Sequence, residues 1–390
     1  MPLADGTIYL DHAATTPVRP EVLEAMLPYF SEDFGNPSSI YALGRRSHQA
    51  LEEAHQMVAG VLNCRPTEVI FTGGGSEADN LAIKGVATAA RRRGQHIITS
   101  AIEHHAVLHT CAYLEQQGFE VTYLPVDATG QVDPDAVAAA LREDTALVTI
   151  MYANNEVGTI QPIAAIGAVC RARRVPFHVD AVQAGAALDL DVARLQVDLL
   201  SLSAHKVYGP KGVGVLYARQ GTRLQPQILG GSQERNRRAG TENVAGAVGA
   251  ATALCLAAAE REQERARLVA LRDRLISGVL SIPGARLTGH PTERLPNSAS
   301  FTLSEVEGES LLLNLDLAGI AASSGSACST GAVDPSHVLT AMGIPADEAR
   351  GHLRLTLGRS TTRDDITTVL RELPGIVARV RALATPHALA

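Results

Sequence analysis

The residues of this chain with the most chemical capability stand at the ends of apolar runs. Lys206 lies in SAHKVYGP, directly after DLLSL, where partial desolvation would make its amine nucleophilic. Ser203 and Lys206 also have the Ser-x-x-Lys spacing of penicillin-binding enzymes. That chemistry needs both residues on one helical turn, and Gly209-Pro210 leaves no helix to carry them. Asp180 ends PFHVD, three residues before Gln183; a carboxylate there would keep a heterocyclic nitrogen protonated, or simply cap the next segment. Gly73-Gly74-Gly75-Ser76-Glu77 follows EVIFT and opens a helical pattern. It offers amides and a hydroxyl to a phosphate, although a plain capped turn has the same composition. It has neither the Gly-Lys-Ser/Thr of a P-loop nor dinucleotide G-x-G-x-x-G spacing. His104, just beyond HIITS, is placed to stack on a flat ligand. His105 and His109 share helical spacing suited to a metal, but no carboxylate or third ligand completes the set.

One cofactor uses a Schiff-base lysine, an acidic partner for a pyridine nitrogen, a phosphate cradle and a side chain stacked on its ring. It is pyridoxal phosphate, and Lys206, Asp180, Gly75 with Ser76, and His104 match those needs from different strand ends. The five cysteines divide unevenly. Cys111, Cys170 and Cys255 sit in apolar helical context and Cys64 near a helix end, as expected of buried thiols. Cys328 lies in SSGSACSTG, a Gly/Ser-rich segment in which a thiol would be exposed to reaction, unless it is an incidental surface cysteine.

Positioning these groups is the task of alternating elements between residues 68 and 218. Strand-like runs at 68–72, 96–100, 120–125, 146–152, 176–180, 198–202 and 214–218 are mostly near-continuously apolar, as strands buried on both faces are. Helical periodicity at 76–93, 106–117 and 163–174 separates the earlier runs and predicts an open, mainly parallel α/β sheet, whose ligands bind beyond the strands' carboxyl ends. No helix separates the last two runs, which predicts an antiparallel edge. From residue 242 the texture changes: an Ala/Leu/Glu/Arg-rich helix over 242–281 leads into strands at 298–303 and 352–357 and helices at 308–316 and 363–383, a smaller α+β domain.

Composition narrows the function classes. With 46% hydrophobic and 19% charged residues the chain has ample material for a core, and a net charge of −7 argues against nucleic-acid binding. No run approaches about 18 uninterrupted apolar residues, and the start lacks a signal-peptide pattern, so a cytoplasmic protein without a membrane span is expected.

The segments YLDHAATTP (9–17), FGNPSS (34–39), EHHAVL (103–108), NNEVGTIQPI (154–163), HVDAVQ (178–183), SAHKVYGPKGVG (203–214), RRAGTEN (237–243), VEGESLL (306–312) and SSGSACSTG (323–331) occur in order along essentially the whole sequence. Through them the chain strongly resembles the cysteine desulfurases of the NifS/IscS type, pyridoxal-phosphate enzymes of the class V aminotransferase fold. The resemblance implies an aminotransferase fold type I: a large cofactor domain over 14–260 with a mainly parallel seven-stranded sheet, and a small domain from 1–13 and 261–390 carrying the Cys328 loop.

By that resemblance Lys206 would hold the cofactor, Asp180 would face its ring nitrogen, Gln183 its ring hydroxyl, and His104 would stack on the ring. Gly75, Ser76, Ser203 and His205 would hold the phosphate, with Thr241 donated by the second subunit of a homodimer. Arg354 would clamp the substrate carboxylate, helped by Asn36 and by Asn155, which would also contact the cofactor. L-cysteine would become L-alanine, its sulfur passing to Cys328 as a persulfide. An acceptor such as an iron–sulfur scaffold or a tRNA-thiolation protein would then receive it, with transient contact between Cys328 and a cluster and no resident metal. The departures are Ser76 where relatives usually have Thr, His12 where Asn or Tyr is common, and ACSTG for ACTSG. Competing readings are a selenocysteine lyase or another class V enzyme, for which transamination has no use for Cys328; a non-catalytic sulfur carrier; and a metal hydrolase built on His104, His105 and His109.

Overall fold

The computed structural model describes residues 6–324 and 335–384; Cys328 and its neighbours lie outside the described residues. After a short strand β1 (Ile8–Tyr9), seven strands build the main sheet: β2 (Val69–Thr72), β3 (His96–Ser100), β4 (Glu120–Leu124), β5 (Thr145–Thr149), β6 (Phe177–Asp180), β7 (Leu199–Ser203) and β8 (Gly214–Ala218). Their order is β2-β8-β7-β6-β5-β3-β4. Every residue of β2, β3, β5, β6, β7 and β8 is buried, which accounts for their unbroken apolar runs; only the edge strand β4 shows exposed positions. Ile98 and Phe177 are among the fully buried side chains, and truncating Ile98 to Ala would cost about 2–5 kcal/mol.

The antiparallel pairing falls at one end of the sheet as expected, but the reversed strand is one in from the edge. β8 runs antiparallel to both β7 and β2, and β2 takes the edge position. The turn through Gly209, Pro210 and Gly212 (φ +78°) brings Gly214 opposite Ser203. A Cβ at Gly214 would stand 2.5 Å from the backbone of Gly74, so glycine lets β8 begin against the turn that precedes helix Gly75–Ala90.

The remaining strands are β9 (Ala285–Leu287), β10 (Ser298–Leu303), β11 (Ile320–Ala321) and β12 (His352–Thr356). β12, β10 and β9 form an antiparallel sheet, and β1 pairs in parallel with β11. Leu10, Leu275, Phe301, Leu311, Leu355, Ile366 and Val380 pack together around it, separately from the clusters on either face of the main sheet. Helix Val244–Val279 reaches both: Val244, Ala250 and Leu254 are buried near its start, Leu275 and Val279 near its end. One window of this helix is apolar enough to cross a membrane, but half of that window is buried within the protein. Cys111 and Cys170 are buried as expected, whereas Cys64, just past the end of helix Ala42–Leu62, and Cys255, on helix Val244–Val279, are only partly so. Burial pushes the thiols of Cys64, Cys111 and Cys170 up to about 12, so all three are protonated at neutral pH.

Candidate active site

Strand ends and the β1 extension meet around a cavity of about 400 Å³. Gly75, Ser76, His104, Asn155, Asp180, Gln183, Ser203, His205, Lys206 and Arg354 all line it. Ten residues singled out from the sequence, spread over 280 positions of chain, thus face one space. Asn36 and Thr241 are exposed and outside this lining; the Asn36 side chain accepts from the Ser38 amide at 2.9 Å.

Each side chain owes its place to the element before it. Asp180 is the last residue of β6, and its Oδ1 accepts from the Val182 amide at 2.9 Å, so it caps the following turn and faces the cavity at once. Burial raises its carboxyl to about 6, against the Val182 amide and the nearby Lys206, which favour the charged form. His104 is the N-cap of helix His105–Gln116: its Nδ1 accepts from the Ala106 amide at 3.1 Å, which fixes the ring and leaves the proton on Nε2. Burial first, then His105 and Lys206, lower it to about 4, so the ring is neutral. Lys206 ends a single 3₁₀ turn after β7 and donates to the carbonyls of Ala13 and Ala14, the latter at 2.8 Å. His205 Nδ1 meets Thr15 Oγ1 at 3.1 Å, and Gln183 Nε2 donates to Ala13 O at 3.0 Å.

Arg354, in the middle of β12, is 3% exposed. Its Nη2 donates to Asp11 Oδ1 at 2.7 Å and its Nη1 to the Asn155 carbonyl at 2.9 Å. Ser323 exchanges backbone hydrogen bonds with Arg354, so the chain leading towards Cys328 is tied to the same strand.

The segment Asp11–Thr16, to which sequence reasoning gave no role beyond the resemblance, therefore supplies acceptors to Lys206, Gln183 and Arg354. Asp79, one turn into helix Gly75–Ala90, was also missed. It lines the cavity, is 1% exposed, and its Oδ1 has no hydrogen-bond partner. Burial and the charge of Asp180 push its carboxyl well above the usual range. The three histidines considered for a metal lie near one another but with rings stacked or tilted against each other rather than aimed at one point. His105 and His109 stack with ring centroids 5.0 Å apart, His337 lies against His105 at the same spacing, and no metal-holding cluster occurs among the described residues.

The donor set suits a flat, phosphorylated heterocycle. The cavity brings together the amides opening a 16-residue helix, the hydroxyls of Ser76 and Ser203, the carboxylate of Asp180 and the amine of Lys206. The cradle is tight, for a Cβ on Gly75 would lie 2.8 Å from Val182 Cγ2 and 3.3 Å from Ser203 Cβ.

The aminotransferase class-V family model matches residues 8–369. A cysteine desulfurase IscS of Methanosarcina thermophila is 55% identical over 377 residues, covering 97% of this chain and 93% of the relative. One from Dictyoglomus turgidum is 52% identical, with 97% and 96% covered. The chain belongs to the cysteine desulfurases of the class-V aminotransferase family. Among solved structures, a NifS-like protein superposes with a TM-score of 0.90 at 38% identity, covering 96% of this chain and all of that one. An SspA solved in complex with cysteine gives 0.80 at 38%, with 90% and 99% covered. This desulfurase has the family's mostly parallel seven-stranded sheet, with its cavity at the strands' carboxyl ends.

Proposed function

We propose that the chain is a pyridoxal-phosphate-dependent cysteine desulfurase that converts L-cysteine to L-alanine and passes the sulfur to Cys328. The observation that carries this reading is the gathering of Lys206, Asp180, His104, Ser76 and Arg354 around one cavity, in a chain 55% identical to a cysteine desulfurase. Bound in the cavity, pyridoxal phosphate would supply an electron sink for the bond broken at the substrate Cα.

The protein's own residues do the rest. Ser76, Ser203, His205 and the Gly75 amide hold the phosphate; Asp180 faces the ring nitrogen as a carboxylate; the neutral His104 ring forms one wall. Gln183, held to the Ala13 carbonyl, is the group for the ring hydroxyl. Arg354 takes the carboxylate of L-cysteine in a charge-assisted pair with Asn155 beside it, whereas Asn36, exposed and outside the lining, is given no contact with the substrate within this subunit. The Lys206 amine is the base for the Cα proton. The Cys328 thiolate attacks the substrate sulfur: a sulfur–sulfur bond forms, the carbon–sulfur bond breaks, and its electron pair stays with carbon, which takes a proton to become alanine. Thr241 acts across a homodimer, with 14–260 and the remainder of the chain as its two domains. The persulfide goes to an acceptor such as an iron–sulfur scaffold or a tRNA-thiolation protein in the cytoplasm.

The test is an absorbance spectrum of the purified protein, then L-cysteine with alanine and sulfide assayed for wild type and Cys328→Ala. An aldehyde–lysine band near about 400 nm with alanine formed only by the wild type is the expected result. Alanine from Cys328→Ala would instead indicate a lyase needing no protein thiol, and a protein that never takes up the cofactor would overturn the assignment.

A further inference from the structure

Glu103 takes no part in the chemistry above, yet it is fully buried beside His104. Its Oε1 accepts from Ser100 Oγ, at the end of β3, at 2.5 Å, and from the Met151 amide, just past β5, at 3.0 Å. Its backbone carbonyl accepts from His337 Nε2 at 3.0 Å, in the helix His337–Ala341. One residue thus joins two strand ends and a helix of the other part of the chain at the point where the backbone turns into His104. Its Oε2 is buried without a hydrogen-bond partner, and no lysine or arginine pairs with it among the described residues. The titratable groups facing it are Asp180 on β6, Asp79 on helix Gly75–Ala90, Cys111 on helix His105–Gln116, and His337. An ionised carboxylate would leave a bare charged oxygen among two further acids; a carboxylic acid carries only a neutral hydroxyl at Oε2, which costs far less to bury.

We propose that Glu103 is a positioning residue of the site: as a neutral carboxylic acid it locks the ends of β3 and β5 into one frame and so fixes the His104 ring on the cavity wall. The proposal rests on the reading of His104 as a wall of the cofactor site. Burial, with the charge of Asp180, pushes the Glu103 carboxyl up to about 8, against its Ser100 and Met151 donors. In the unfolded chain the group ionises near 4.5, so between 4.5 and about 8 the folded protein holds the extra proton. Stability therefore falls as pH rises through that window and levels off above it. Glu103→Gln keeps the acceptor oxygen and removes the titration.

Two measurements test this. In thermal melts of the cofactor-free protein from pH 5 to 8.5, Glu103→Gln is expected to gain several degrees on the wild type as pH rises; parallel curves would overturn the neutral-acid assignment. In the loaded protein, Glu103→Ala should weaken pyridoxal-phosphate binding on the order of tenfold, comparable to the loss when a metal ligand's hydrogen-bond partner is removed. It should also move the visible circular dichroism band in the same direction as His104→Ala, with Glu103→Gln close to wild type in both. Wild-type affinity and band in Glu103→Ala, or a Gln variant as impaired as Ala, would overturn the positioning role. If His104→Ala itself changes neither readout, the reading of His104 fails, while the melts still judge the state of Glu103.

Discussion

Beyond the carboxyl ends of β3 and β6 and in the first turns of helix Gly75–Ala90, Glu103, Asp180 and Asp79 are withdrawn from water, at 0%, 5% and 1% exposure. At the amino ends of the same sheet, a depression of about 960 Å³ is lined by Arg93, Arg142, Arg171, Arg173, Arg174, Arg219 and Arg223. Its charge is mostly solvated: Arg142 meets Asp144 at 3.0 Å with side chains 39% and 48% exposed, while Arg219 meets the partly buried Asp198 at 2.9 Å. One end buries its acids and raises their titrations; the other keeps most of its charge in water, where each contact is weak. Only the first arrangement can hold a reactive amine, a neutral imidazole and a carboxylate within one space, so that is where substitutions should tell.

The largest effect is expected for Lys206→Ala. Removing the base should lower turnover by about 10³-fold, in the range of general acid–base contributions. Single-turnover alanine formation measures this, and retention of more than about a tenth of the rate would mean that another group takes the proton.

Asp180→Asn sharpens the contrast because its two effects oppose each other. Loss of the charge facing the ring nitrogen should reduce turnover by about 10²-fold. Yet Asp180 is raised to about 6 from 3.8, so the cofactor-free protein loses stability as pH climbs through that window and stays at the lower level above it. Asparagine can still accept from Val182 and does not titrate. The cofactor-free variant should therefore be more stable at pH 7 by on the order of 2 kcal/mol, measurable by urea denaturation. A variant both inactive and less stable would place the cost elsewhere.

Arg354→Lys should act on binding. The lysine keeps the charge but cannot reach Asp11, the Asn155 carbonyl and a carboxylate together, so KM for L-cysteine should rise about tenfold with a smaller change in kcat. An unchanged KM would remove Arg354 from the substrate's carboxylate.

The architecture was readable where chemistry and burial leave local traces. Strands buried on both faces give unbroken apolar runs, and polar residues at their ends stand out. The partners of those residues were not readable. Lys206 donates to Ala14, 192 positions away, and Arg354 pairs with Asp11, 343 away. Neither contact imprints a period or spacing on the sequence. Ala13 and Ala14 act through backbone carbonyls, so their side chains carry no signal at all. Glu103 was visible as a letter of EHHAVL, but its neutral, bridging state exists only once β3, β5 and helix His337–Ala341 have met. Likewise the missing helix before β8 announced a reversed strand, whereas its place between β7 and β2 depends on packing.

The smallest effect is expected at the arginine-lined end, and it completes the comparison. Arg142→Ala removes hydrogen bonds to Asp144 and Glu120, both from an exposed side chain. Turnover should be unchanged, and the melting midpoint should fall by no more than about 2 °C. Salt separates the two ends further. At about 1 M ionic strength, with a screening length near 3 Å, the difference between Arg142→Ala and wild type should vanish. The pH-dependent gain of Asp180→Asn should largely persist there, because the shift of this 5%-exposed carboxyl comes first from burial rather than from a solvated ion pair. If salt erased both differences alike, the carboxyl-end acids would be as solvated as the arginines, and the contrast between the two ends of the sheet would fail.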